Sequence, residues 1–382
     1  MRVVIVGAGV GGLALARGLV GAGHEVEVHE REGGPPAVEV GIGLRSNGVA
    51  ALDALGVDVS GLGRRLDGIE VRDPSGRVRH TLDTDAIGAR FGHAWRAMPR
   101  RDLLETIADG LPEGTVRSGR ICTRVRENLD GTVSALFGDG SAATGDVVVG
   151  ADGVRSAARR DLWDGDPSRP TGRAGWHGLT AVPGEMASGT VAAVVRGRQG
   201  ECGIMPAGDG LVRWWFDVRW RPGLRAPRSP MGVLRRLFAD WDDPWTRAVL
   251  DQGDGVEPAL FEYVRHRVPK VWGKGGATLL GDAAHPFSSA DSPGPDQALE
   301  DAWALTEVLG AAGAGDDPAE ALRRYERDRR GRVTRAAASG AEFLLELPPA
   351  RALGPERSGA LVTRRHIDLL ERTSGVLTGR RP

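Results

Sequence analysis

The chain has 382 residues, 41% of them hydrophobic and 26% charged, enough apolar material for one large domain or two joined ones. A formal net charge of −1 offers no field to recruit nucleic acid or an anionic membrane, so neither is an expected partner. The two cysteines, Cys122 and Cys202, lack metal-ligand spacing and read as free thiols of a reducing compartment, and no apolar run reaches the length of a membrane span.

The opening residues carry no charged stretch leading into a long apolar run, so no signal peptide is expected and the expected location is the cytoplasm. Val3-Val4-Ile5-Val6 instead reads as a buried strand of a parallel sheet. It leads into Gly7-Ala8-Gly9-Val10-Gly11-Gly12, then a helix with Leu13, Ala16, Leu19 and Val20 on one side. Gly21 and Gly23 end that helix, residues 25–29 alternate as a second strand, and Glu30 and Arg31 close it. This is a dinucleotide fingerprint in its required setting of strand, glycine turn, helix, strand and acid. Gly7 permits the tight turn, Gly9 lets backbone approach a pyrophosphate, and Gly12 lets helix and strand pack closely. Free amides at the helix start face the phosphates, and Glu30 is placed to accept from ribose hydroxyls. The turn does not by itself separate NAD from FAD.

Further along, residues 68–83 and 164–267 lose the strand–helix rhythm and read as strands. Met98-Pro99-Arg100-Arg101-Asp102-Leu103-Leu104 opens a helix, and Asp146–Gly150 is a strand leading into Ala151-Asp152-Gly153. Asp152 is a candidate N-cap for a helix opening at Val154 and a candidate cofactor contact, and we expect both roles. Residues 203–220 form a hairpin around a Gly208-Asp209-Gly210 turn. On this sheet Trp176, His177 and Trp215 are candidates to line a flat apolar pocket, or equally to pack its core face. Another strand ends at Gly281-Asp282, followed by Ala283-Ala284-His285. Asp317-Pro318 then caps a helix running through Tyr325, and the Arg- and Pro-rich tail has a short amphipathic stretch at Ile367–Leu370, expected to be solvated.

From Met1 to about residue 340 these motifs resemble, in order and spacing, those of the FAD-dependent aromatic hydroxylases, the single-component flavoprotein monooxygenases. The resemblance rests on the glycine turn, the Arg-x-Asp-Leu helix start at Arg100, the Asp-Gly motif at Asp152-Gly153, the Gly-Asp motif at Gly281-Asp282, and the helix with Tyr325, Glu326, Arg329 and Arg332. It implies an α/β fold: a Rossmann-like FAD-binding domain, an inserted, mostly antiparallel β-sheet substrate domain, and C-terminal helices. The implied division assigns residues 1–67, 96–163 and 268–345 to FAD, 68–95 and 164–267 to substrate, and 346–382 to a helical tail. FAD would then lie on the turn from Gly7 to Gly12, with Val10 and Gly11 included, and on Glu30 and Arg31. Arg100 would meet its pyrophosphate or ribityl chain and Asp282 its ribityl or ribose hydroxyls, with Gly281, Val125 and Gly294 nearby. Asp152 and Arg159 would serve both FAD and the nicotinamide reductant.

Two segments depart from the family pattern. Where the family has Gly-Ala-Gly-Ile-Gly-Leu followed by Pro-Asn, this chain reads Glu39-Val40-Gly41-Ile42-Gly43-Leu44-Arg45-Ser46-Asn47. Where it has Gly-Gln-Gly, residues 288–297 read Ser-Ser-Ala-Asp-Ser-Pro-Gly-Pro-Asp-Gln, and only Gly294 is kept. Pro293 and Pro295 remove amide donors, while Asp291 and Asp296 add negative charge, so a lower flavin potential or a displaced ring is expected, unless Asp296 only caps the helix. The resemblance implies an oxygen-dependent hydroxylase or epoxidase that uses NADH or NADPH on an aromatic or polyketide-like small molecule, as a monomer or homodimer. The alternative keeps the fold and the FAD for a non-redox cyclisation or binding role. The cofactor carries the chemistry, so no catalytic side chain and no metal ligand are nominated, and His285 is expected only to pack.

Overall fold

The β-branched run at the start forms strand Arg2–Val6 at the centre of a five-stranded parallel sheet in the computed structural model. From edge to edge the order is Ala277–Leu279, Val147–Gly150, Arg2–Val6, Glu25–His29 and Val116–Arg117. The structure describes residues 1–33, 38–182, 184–252, 256–287, 293–313, 315–340 and 354–382. Because these strands are parallel, their C-terminal ends share one edge, so the turn after Val6, the loop after Gly150 and the loop after Leu279 emerge side by side. Three motifs far apart in sequence thus meet at one crevice.

Helices Val10–Gly21 and Gly294–Gly310 cover one face of this sheet. Their close approach needs glycine: a Cβ at Gly18 would overlap Thr306, and one at Gly11 would press on Ala298 at 3.2 Å. The helix Pro318–Gly340 starts where Asp317 accepts from the amide of Ala319 at 2.9 Å, the expected cap.

A second sheet has seven strands in the order Ala259–Arg265, Arg169–Ala181, Leu211–Arg219, Gly200–Gly208, Val191–Arg196, Gly68–Arg72 and Val78–Asp83. All its pairings are antiparallel except Gly68–Arg72 on Val191–Arg196. Asp209 and Gly210, with φ of 51° and 74°, make the tight turn of the expected hairpin. The period of two sends alternate side chains to opposite faces. Trp176, Trp214, Phe216 and Ile204 pack into an outer core with helices Pro230–Leu237 and Pro244–Gln252, whereas His177, Met205, Arg213, Trp215 and Asp217 lie on the other face.

The tail is not a solvated appendage. Helix Pro355–Thr373 buries Val362, His366 and Leu370, and Gly359 lets it approach strand Val78–Asp83 so closely that a Cβ would overlap the carbonyl of Thr81. The amphipathic stretch read as solvated is therefore a docking face. Among the described residues no helix is long and apolar enough to cross a membrane.

Candidate active site

A cavity of about 840 Å³ runs from the glycine turn to the inner face of the seven-stranded sheet. At the first end Gly7, with φ of 109°, takes a conformation that L-residues avoid, and a Cβ on Gly12 would overlap the carbonyl of Gly7. Gly9 differs, because its φ of −72° suits any residue and a Cβ there would meet nothing within 4 Å. Nothing within the described chain requires glycine at that position, and its Cβ direction opens on the cavity.

Val10, Gly11, Gly12, Arg31, Gly281 and Gly294 also border this space. Glu30 stands behind the turn, accepting from the amide of Ala8 at 2.7 Å and that of Glu32 at 3.0 Å, so it shapes the loop directly. Arg100 reaches the wall, and among the described residues its guanidinium has no hydrogen bond or ion pair. Burial lowers its pKa, while Glu32 and Glu30 raise it. Asp282 also faces the cavity without a side-chain partner among the described residues, and desolvation there raises its pKa against the pull of His285 and Arg159.

Several expected contacts lie elsewhere. Asp152 does not border the cavity; its carboxylate accepts from Ser156 Oγ at 2.5 Å and from the amides of Ala157 and Ala158 at 2.6 and 3.2 Å. It caps a helix that starts at Ala157, three residues later than expected. Arg159 is fully buried and clamps the two acid motifs together, donating to the carbonyls of Val154, Asp282 and Ala283 and pairing with Asp166 at 3.1 Å. Val125 sits in the core, its amide bonded to Asp161 at 2.9 Å. Trp176 faces the outer core, and Trp215, on the inner face, lies behind Arg213 with its Nε1 on Glu201 at 3.3 Å; neither borders the cavity. His177 does.

The two departing segments meet each other. Asp291 and Ser292 lie outside the described residues, but Asp296 is buried in the first turn of Gly294–Gly310 and its Oδ1 accepts from the amide of Arg45 at 2.8 Å. It therefore bridges to the other segment instead of capping its own helix. Burial raises its pKa to about 6, helped by Glu300 and opposed by Arg45. Beneath it, fully buried Arg329 binds Asp301 at 2.6 Å, Glu300 at 3.0 Å and the side chain of Gln297 at 2.8 Å. His285 joins this cluster through a hydrogen bond to Asp301 at 2.6 Å, so it is held by a polar partner as well as by packing.

Arg213, Asp217 and Tyr263 were not among the residues nominated from the sequence. Arg213 enters the cavity wall with its guanidinium 4.3 Å from the Trp215 ring and its Nε donating to Gly41 O at 3.1 Å; a Cβ on Gly41 would collide with its stem. The only trace it leaves in the sequence is a charged residue two before Trp215, on the same face of the strand.

Residues 1–339 match the family model described as an FAD binding domain. The chain belongs to the FAD-dependent aromatic hydroxylase family. It is 34% identical to a 3-amino-4-hydroxybenzoate 2-monooxygenase of Streptomyces platensis, covering 96% of this chain and 94% of that one. It is 31% identical to an FAD-dependent urate hydroxylase of Klebsiella pneumoniae over 87% of each. Its structure superposes on HpxO of Klebsiella pneumoniae complexed with FAD and uric acid with a TM-score of 0.82 and 26% identity, covering 100% of this chain and 95% of that one. The hydroxylase is thus an FAD-dependent monooxygenase, and these relatives lend the non-redox alternative no support. The residues present suit FAD: a glycine whose Cβ direction is open, an arginine without an anion and a carboxylate without a donor all face one cavity.

Proposed function

We propose that this chain hydroxylates an anionic aromatic small molecule, with NADPH or NADH as reductant. The observation that carries the substrate class is Arg213, a cation of the cavity wall whose lining also includes the apolar Met205, Ala259, Phe261 and Phe287. A flat apolar slot favours an aromatic ring, and a guanidinium of fixed orientation favours a carboxylate or similar anion. The named substrates of the relatives, an aminohydroxybenzoate and urate, support this reading. FAD would be held by the glycine turn, Arg31, Arg100 and Asp282, with Glu30 fixing the turn. When bound, it supplies oxygen activation after reduction by the nicotinamide. The protein's own part is to orient the ring with Arg213 and to keep water from it with the apolar wall.

The test is a panel of hydroxybenzoates and their neutral carboxamides, scored for binding and for stimulation of NADPH oxidation with matching product formation. Carboxylates should bind roughly tenfold or more tightly than amides, and Arg213→Gln should erase the difference. Amides binding as well as acids would overturn the assignment.

A further inference from the structure

The start of helix Gly294–Gly310 sits between the two ends of the cavity. On one side its Ala298 packs under the glycine turn, where a Cβ on Gly11 would come to 3.2 Å from it and one on Gly281 to 3.0 Å. On the other side Asp296 holds the amide of Arg45 at 2.8 Å. Arg45 follows strand Gly41–Leu44, whose Gly41 carbonyl accepts from Arg213 at 3.1 Å. A cofactor reaching from the turn to a substrate beside Arg213 therefore passes this helix start, and Gly294, Pro295 and Asp296 border the cavity there.

Hydride transfer to a flavin adds one negative charge to its ring, and the free amides of a helix start are natural partners for such a charge. This helix start has few to offer. Pro293 and Pro295 have no amide hydrogen, and the amide of Gln297 is spent on the carbonyl of Pro293 at 2.8 Å. A carboxyl group stands in their place. Asp296 is buried, and Gly48 leaves room for it, since a Cβ at position 48 would overlap its Oδ1. Its Oδ2 lies 4.0 Å from Arg45 Nε, too far for a hydrogen bond. Around it the charged groups are already matched: Arg329 holds Glu300 at 3.0 Å and Asp301 at 2.6 Å, and His285 binds Asp301. His366, on the tail helix, faces Arg45 and is kept neutral by burial, with its pKa at about 3. Asp282 borders the same cavity and adds no cation. No guanidinium of this set is spare for a further negative charge.

We propose that Asp296 takes up a proton from solvent when the bound FAD is reduced, so that loss of its own charge compensates the charge gained by the ring. The proposal rests on the hydroxylase reading above for the cofactor and its reductant. The hydride brings two electrons and one proton to the ring and leaves the nicotinamide oxidised. The second proton comes from solvent and forms one O–H bond on Asp296, which changes no oxidation state. Burial raises the Asp296 pKa to about 6 against the pull of Arg45, so the group is ionised but close to protonation at neutral pH while the flavin is oxidised. A negative ring beside it pushes that pKa further up. Linkage then works in both directions: reduction favours the neutral acid, and the neutral acid favours reduction.

The experiment measures the midpoint potential of FAD in the holoenzyme from pH ~5 to ~8.5, with dithionite and a reference dye, for wild type and Asp296→Asn. One extra proton per two electrons changes the reduction equilibrium tenfold more per pH unit, about 30 mV. Wild type should be steeper than Asp296→Asn by that amount above pH about 6, and parallel to it below. Parallel lines over the whole range, with or without an offset, would overturn the proposal, because a carboxylate that stays ionised shifts the potential without changing its slope. Should Asp296→Asn not hold FAD, Asp296→Ser gives the same comparison. Dithionite needs no nicotinamide, so FAD that NADPH fails to reduce would overturn the hydroxylase reading alone. A chain that takes up no FAD would overturn both.

Discussion

Asp296→Asn should make the protein more stable at neutral pH, although it removes a buried charge that accepts a hydrogen bond. Desolvation raises the folded-state pKa of Asp296 from its ordinary 3.8 to about 6. The folded protein therefore holds a proton that the unfolded chain has lost between these values, and stability falls as pH rises through that window. Two units correspond to roughly 3 kcal/mol of cost above pH ~6, absent below pH ~3.8. Asparagine keeps an oxygen for the Arg45 amide and carries no charge to desolvate. The substitution loses the favourable interaction of an anion with the first turn of helix Gly294–Gly310, about 0.3–1 kcal/mol. The net gain is about 2 kcal/mol near pH 7.5, shrinking to nothing near pH 4. Urea unfolding of the apoprotein at both pH values measures it through the midpoints at constant slope. A variant weaker than wild type at neutral pH, or a difference that ignores pH, would refute the argument.

Gly9→Ala and Gly12→Ala separate ligand from loop. A methyl at position 9 meets no chain atom within 4 Å, so apoprotein stability should hold while FAD affinity drops, as read by flavin fluorescence quenching. A methyl at position 12 strikes the carbonyl of Gly7 and should cost both stability and FAD. Arg329→Met should destabilise by about 3–5 kcal/mol, because Glu300 and Asp301 remain buried without their cation; a loss below about 1 kcal/mol would mean that the cluster relaxes into solvent.

The glycine turn was legible because its conformation constrains residue type: Gly7 needs a positive φ, and Gly12 has no space for a Cβ. The Asp209-Gly210 hairpin was legible for the same reason. What alternation could not say was which face of the second sheet turns to the cavity. Trp176 and His177 are neighbours in one strand, so they point to opposite sides, and one of the two had to be wrong as a lining residue. Asp152 was ambiguous because capping and ligand binding ask for the same carboxylate at the same loop position. The bridge made by Asp296 could not be read from the sequence, because its partner, the amide of Arg45, lies 251 residues away. Tyr263 and Asp217 left no trace, since a buried polar pair on two strands is a property of register and not of either segment. The tail helix was misread because an amphipathic stretch does not name what covers it.

The one parallel pairing in the seven-stranded sheet sets the order of events during synthesis. Hairpin Gly68–Asp83 leaves the ribosome early, but the strand it joins, Val191–Arg196, follows roughly 120 residues later, about 6–24 s at ordinary translation rates. Helix Pro355–Thr373, which covers its other strand, comes last of all. Throughout that interval Ile69, Val71 and Leu82 belong to a two-stranded hairpin too small to hold itself together in water. The nascent chain thus carries an apolar ribbon with no native partner through much of its elongation.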